Sequence, residues 1–169
     1  MYFDQPVKYL NNRSPSRRLT GDGHMKPQEL PLEKIRAGAS RHLAEYLATN
    51  GESGYIYRGA PILVLTTSGR QSGEPRSTPL IFGRDGDAFL VVASLGGADR
   101  HPGWYLNLQA NPAATVQVKA DRFAVRARTA APDERTRLWE VMTGVYPAYA
   151  EYQTKTAREI PIVVLEPDR

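Results

Sequence analysis

The chain has 169 residues, 41% hydrophobic and 24% charged, which is the balance of one soluble domain with a sizeable core. A net charge of +4 favours anionic ligands or surfaces through long-range attraction. The absence of cysteine excludes disulfides and thiolate chemistry, and three scattered histidines, His24, His42 and His101, give no metal-ligand spacing, so no metal is expected.

Residues 1–26 carry Pro15, Gly21 and Gly23 among Arg13, Arg17 and Arg18 without a sustained period; they read as a disordered basic arm, or as an extension before a start at Met25. The expected domain is a single one over 27–169. Ile35, Ala39, Leu43, Tyr46 and Leu47 recur at helical spacing between Pro31 and Asn50, which predicts a helix over 32–50. The apolar run 61–67, the segment 78–83 and the run 88–94 predict three strands joined by short turns, the second turn being Asp85, Gly86 and Asp87. A loop at 95–99 leads to a short helix containing Trp104, Leu106 and Leu108, stopped at Asn111 and Pro112. Alternation over 115–119 and 122–129 predicts a half-solvated antiparallel pair. A helix over 132–142, a second after Pro147 and a strand over 160–165 complete the chain. Turns this short cannot carry crossover helices, so an α+β, mostly antiparallel barrel with peripheral helices is expected.

The turn between the first two strands is the most informative segment. Residues 66–80 place Arg70 and Arg76 beside Thr67, Gly69, Gln71, Ser72, Gly73, Thr78 and Pro79. Guanidinium groups bind phosphate or carboxylate with two prongs, hydroxyls add donors, and glycine lets backbone N–H groups approach closely. An anionic, phosphorylated partner follows. No Walker loop and no dinucleotide fingerprint is present. Tyr146, Tyr149 and Tyr152 recur every third residue after Pro147, along one side of a helix. They either close the core or line an acceptor pocket, where one phenol, protonated at neutral pH, donates a proton. Ser94, at a strand end, is the other group able to orient an acceptor oxygen.

These blocks resemble a known family. Residues 66–80, Ser94 with Gly96 and Gly97, the segment His101, Pro102, Trp104, Tyr105 and Asn107, the three tyrosines, and the final strand from Ile160 are similar in order and kind to the deazaflavin-dependent nitroreductases. The resemblance implies a six- to seven-stranded split β-barrel related to FMN-binding barrels. It also implies coenzyme F420, with FMN as the alternative, and hydride transfer to quinones, nitroaromatics or electron-poor enones. On this reading Thr67, Gly69, Arg70, Gln71, Ser72, Arg76, Thr78, Pro79, Ser94, Gly96, Gly97 and Trp104 hold the coenzyme, and Tyr146, Tyr149, Tyr152 and Ser94 serve the reaction. Where members carry two lysines this chain has Gln71 and Leu95, so the coenzyme tail must be gripped elsewhere, for example by Arg100 or Lys119. Ile81 replaces an acceptor-pocket tyrosine and puts bulky nitroimidazoles in doubt. A non-catalytic flavin, haem or anionic-lipid carrier stays open, while a nucleic-acid partner is not expected, because no aromatic platform is interleaved with the basic residues. A cytoplasmic monomer or homodimer is expected, with contact at the inner face of a membrane left open.

Overall fold

The computed structural model describes residues 32–169, with side chains from residue 38. The basic arm expected over 1–26 lies outside the described residues. The elements in order are helix α1 (Leu32–Ala48), strands β1 (Ile56–Tyr57), β2 (Ala60–Ser68), β3 (Pro75–Ile81), β4 (Gly83–Asp85) and β5 (Ala88–Val92), and a 3-10 turn (Leu95–Gly97). Then come α2 (Gly103–Ala110), β6 (Ala113–Val118), β7 (Asp121–Thr129), α3 (Pro132–Val145), α4 (Ala148–Thr154) and β8 (Ile162–Pro167). The expected helices and the apolar strands are all present, with ends that shift by a few residues. Two short strands, β1 and β4, were not anticipated, and β3 starts at Pro75 because its ladder with β2 extends to Ser68.

All ladders are antiparallel, and the sheet order is β1-β2-β6-β7-β8-β5-β4 with β3 on the free side of β2. β3 and β4 are separated only by Phe82, so they form one bent strand whose first half pairs with β2 and whose second half pairs with β5. At the bend α3 lies against the backbone: a Cβ on Gly83 would sit 2.7 Å from Met142 Sδ, so glycine is required there. The sheet curls into a barrel that closes at this bend and stays split above it. The split separates the first half of β3 from the end of β5. Pro75 and Pro79, which cannot donate to a ladder, suit an edge strand.

Strand alternation sends side chains to two cores. Leu63, Leu65, Leu80, Phe89, Val91, Val116, Val125, Val163 and Leu165 fill the barrel interior, plugged by Trp104 and Leu108 of α2. Ile62, Val64, Ile81, Leu90, Val92, Ile162 and Val164 face outward under Tyr46 of α1, Leu138 and Met142 of α3, and the tyrosines of α4. Tyr46 pins α1 to the sheet: its hydroxyl donates to Ile62 O (3.0 Å) and accepts from Lys119 N–H (2.8 Å). Burial pushes this phenol's pKa up. At α3 the Glu134 carboxylate accepts from Ala131 N–H (3.0 Å), capping the first turn after Pro132 occupies N1. No described helix is long and apolar enough to cross a membrane.

Candidate active site

Two segments singled out in the sequence stand on the two sides of the split, the β2–β3 turn and the end of β5 with the turn after it. The first side is the turn between β2 and β3. Gly69 N–H donates to Glu74 O (2.8 Å) and Gly73 N–H to Gly69 O (2.7 Å), which closes the turn on itself. Gly73 supplies the left-handed φ of 72°. A Cβ on Gly69 would meet Ser72 Oγ at 2.8 Å and approach Arg76 Nε at 3.7 Å, so Arg76 folds over the turn. Ser72 is spent locally, its Oγ accepting from Glu74 N–H (3.2 Å), and Gln71 is exposed.

Register decides which side chains share a face. Thr67 stands opposite Arg76 and Leu65 opposite Thr78, so Thr67, Thr78 and Arg76 continue the barrel's inner face toward the open lip. Asn107 of α2 joins them: its Nδ2 donates to Thr67 Oγ1 (3.1 Å), while its Oδ1 accepts from Arg70 N–H (3.2 Å) and Arg70 Nη1 (3.1 Å). Neither Arg70 nor Arg76 forms an ion pair with a described residue. Two positive charges are therefore gathered on one turn without a carboxylate partner among the described residues. Thr78 Oγ1 and Trp104 Nε1, on side chains that are 1% and 0% exposed, have no hydrogen-bond partner among the described residues. A buried hydroxyl or indole N–H without a partner carries a desolvation cost of about 1–3 kcal/mol, which a ligand atom reaching it would relieve. Pro79 points the other way, opposite Val64, and on that face Thr66 and Ser77 share a hydrogen bond of 2.8 Å between hydroxyls.

The second side is the end of β5 with the turn that follows it. Ser94 is fully buried, and its carbonyl accepts from Gly97 N–H (3.0 Å). Leu95, Gly96 and Gly97 are all left-handed, with φ of 47°, 65° and 86°. A Cβ on Gly97 would lie 2.6 Å from Tyr152 O, so glycine there serves contact between the turn and α4. Arg158 straps this segment down. Its Nε donates to Ala98 O (2.7 Å), its Nη2 to Ser94 O (2.7 Å) and Ala93 O (3.2 Å), and its Nη1 to His101 Nδ1 (3.3 Å). Partial burial and the Arg158 charge both lower the His101 pKa.

Tyr146, Tyr149 and Tyr152 come together behind this side, with ring centroids 5.2, 6.4 and 6.2 Å apart. All three are buried and belong to the outer core beneath the helices. Arg58, left-handed at φ 50°, reaches the Tyr146 phenol by a side-chain hydrogen bond. The arginine turn and the tyrosines thus belong to opposite faces of the sheet. Of the two cations named for tail grip, Lys119 sits over the Tyr55 ring (4.7 Å) at the far end of β6, five residues or ~17 Å along the strand from Ala114. Arg100 is exposed on the loop that leads into α2 and forms no ion pair with a described residue.

The sequence gives no site role to Arg158 or Arg58, and Asn107 enters it only as part of the segment that carries the resemblance. Asn107 had one usable signal, a polar residue three positions after Trp104 on the buried side of a short apolar helix.

A curled antiparallel sheet, split beside one edge strand, with guanidiniums at one lip that meet no acid among the described residues and phenols packed behind the other side, is a split β-barrel. The model of the family described as F420H(2)-dependent quinone reductase matches residues 39–167. The chain is 45% identical over 128 residues, covering 73% of this chain and 86% of the relative, to an F420H(2)-dependent quinone reductase of Mycobacterium tuberculosis. A solved F420-H2 dependent reductase superposes with a TM-score of 0.60 at 39% identity, over 66% of this chain and 96% of the other. A second solved chain, described as a domain-swapped dimer, gives a TM-score of 0.62 at 36% identity, over 81% and 100%. The chain belongs to the F420H(2)-dependent quinone reductase family and is an enzyme of the F420-dependent reductase class.

Proposed function

We propose that this protein reduces quinones with the reduced deazaflavin coenzyme F420, bound along the split with its phosphodiester at Arg70 and Arg76. The observation that carries the reading is the pair of arginines gathered on one closed turn with no acidic partner among the described residues, beside two buried donors without partners. A flavin-type coenzyme with an anionic arm asks for that donor set: cations for the phosphodiester, neutral donors for ring or ribityl oxygens. The family identity supports the deazaflavin over the FMN alternative. When bound in reduced form, the deazaflavin supplies a hydride, and a quinone needs one proton in addition to become the hydroquinone.

On this reading Arg70 and Arg76 bind the phosphodiester, Thr78 Oγ1 and Trp104 Nε1 donate toward the bound coenzyme, and the Ser94 turn, held by Arg158, forms the opposite wall. Tyr149 holds a proton at Oη that reaches the reduced oxygen directly or through water. A phenol needs no tuning for this, since its ordinary pKa of ~10 keeps it protonated at neutral pH. Quinones are the preferred acceptors; nitroaromatics and enones fit the same chemistry as poorer ones, with Ile81 withholding a hydroxyl from the pocket. The relative described as a domain-swapped dimer supports a homodimer over a monomer.

The test is anaerobic reoxidation of reduced F420 by menadione with the purified protein, run in parallel with reduced FMN. Turnover with F420 and none with FMN is expected. Turnover with FMN alone, or F420 binding without reoxidation, contradicts the reading.

A further inference from the structure

We infer that Asn107 is a positioning residue that aims the Arg70 guanidinium at the coenzyme's anion while leaving its charge undiminished. This rests on the assignment of Arg70 to coenzyme binding. Asn107 lies 37 residues from Arg70 in sequence and is 2% exposed, yet its side-chain amide makes all its hydrogen bonds to the turn-bearing hairpin. The backbone N–H and Nη1 of Arg70 can only donate, which turns Oδ1 toward them and leaves Nδ2 to donate to Thr67 Oγ1. The guanidinium keeps its remaining N–H donors for a ligand.

The identity of the acceptor matters as much as its place. Arginines are commonly oriented by carboxylates, and at about 3 Å a carboxylate would both aim Arg70 and cancel its charge. An amide oxygen aims without cancelling. A long flexible cation would otherwise lose rotamer freedom on each binding event, so one already held binds an anion more tightly. The side chain also couples α2, which carries Trp104, to the cationic turn, so the two parts of the coenzyme site hold a fixed spacing.

Asn107→Asp separates aim from charge. The Thr67 hydroxyl can donate as well as accept, so an aspartate keeps all three contacts and changes only the electrostatics. Fluorescence titration with F420 across ionic strength is expected to show roughly 10- to 100-fold weaker binding for Asn107→Asp, with a shallower salt dependence. The KM for reduced F420 should rise by about the same factor while kcat stays within about twofold. Asn107→Leu, which loses the aim but adds no charge, should bind about tenfold more weakly and keep the parental salt slope. That second variant decides the matter if the aspartate does not fold.

If Asn107→Asp, or in its place Asn107→Leu, binds F420 like the parent, the positioning role is overturned while the coenzyme assignment stands. An Arg70→Ala variant that binds like the parent overturns the role by removing what it positions. A parent that binds no F420 overturns both this role and the proposed function.

Discussion

The two sides of the split are built by different means. The β2–β3 turn with α2 is a hydrogen-bonded frame: Asn107, Thr67 and the turn's own backbone hold Arg70 and Arg76 in place, and neither charge meets an acid among the described residues. The Gly97 turn with α4 is a packed wall in which three phenol rings stack edge to face and a glycine is required because the Tyr152 carbonyl lies against it. The difference teaches where function and folding can be separated. In the frame, the two arginines can be changed at little cost to the fold because both are exposed; in the wall, the same residues serve both.

The largest effect should come from breaking the wall. Gly97→Ala combines a left-handed φ of 86° with a Cβ 2.6 Å from a carbonyl, and should lower stability by about 2–4 kcal/mol in chemical denaturation. In the frame, Arg76→Ala should leave the melting temperature within about 1–2 °C and weaken F420 binding roughly 10- to 100-fold by titration, since the side chain is exposed and makes no ion pair with a described residue. Equal loss of stability and binding at Arg76 would erase the distinction. Tyr149→Phe sharpens it from the other side: kcat for quinone reduction should fall about tenfold with KM for reduced F420 unchanged, which separates proton donation from packing.

The smallest effect is a pH dependence of the strap. Burial and Arg158 lower the His101 pKa in the folded protein, and burial lowers that of His42, against an ordinary value of about 6.5. The unfolded chain therefore binds these protons more readily, so their contribution is intact above that value and is lost as pH falls through the folded pKa values. A melting temperature lower at pH 5 than at pH 7 is expected, with a smaller decrement in His101→Asn.

Much of the fold is legible in the sequence. Val64, Leu65 and their neighbours form a continuous apolar run because β2 is buried on both faces, and Phe123 and Val125 alternate with polar residues because β7 is half-solvated. β4 stayed hidden because it continues β3 through the Phe82 bend, where the residue packed on Gly83, Met142, lies far along the chain. β1 has two residues and no period to read. In the site, the arginines declared themselves by sitting on a glycine-rich turn. Asn107 and Arg158 did not, because each acts on residues 37 to 65 positions away, and no local spacing records such a contact.

The central claim is that the split recognises the deazaflavin by its anionic arm. The most direct test is to compare the affinity of this protein for F420 and for the same deazaflavin ring lacking the phosphodiester and glutamyl tail, at low and high salt. A preference of at least about 100-fold for F420 that shrinks with salt, and largely disappears when Arg70 and Arg76 are both alanine, is the predicted result. Equal affinity for the two molecules, or a preference that survives loss of both arginines, would contradict it.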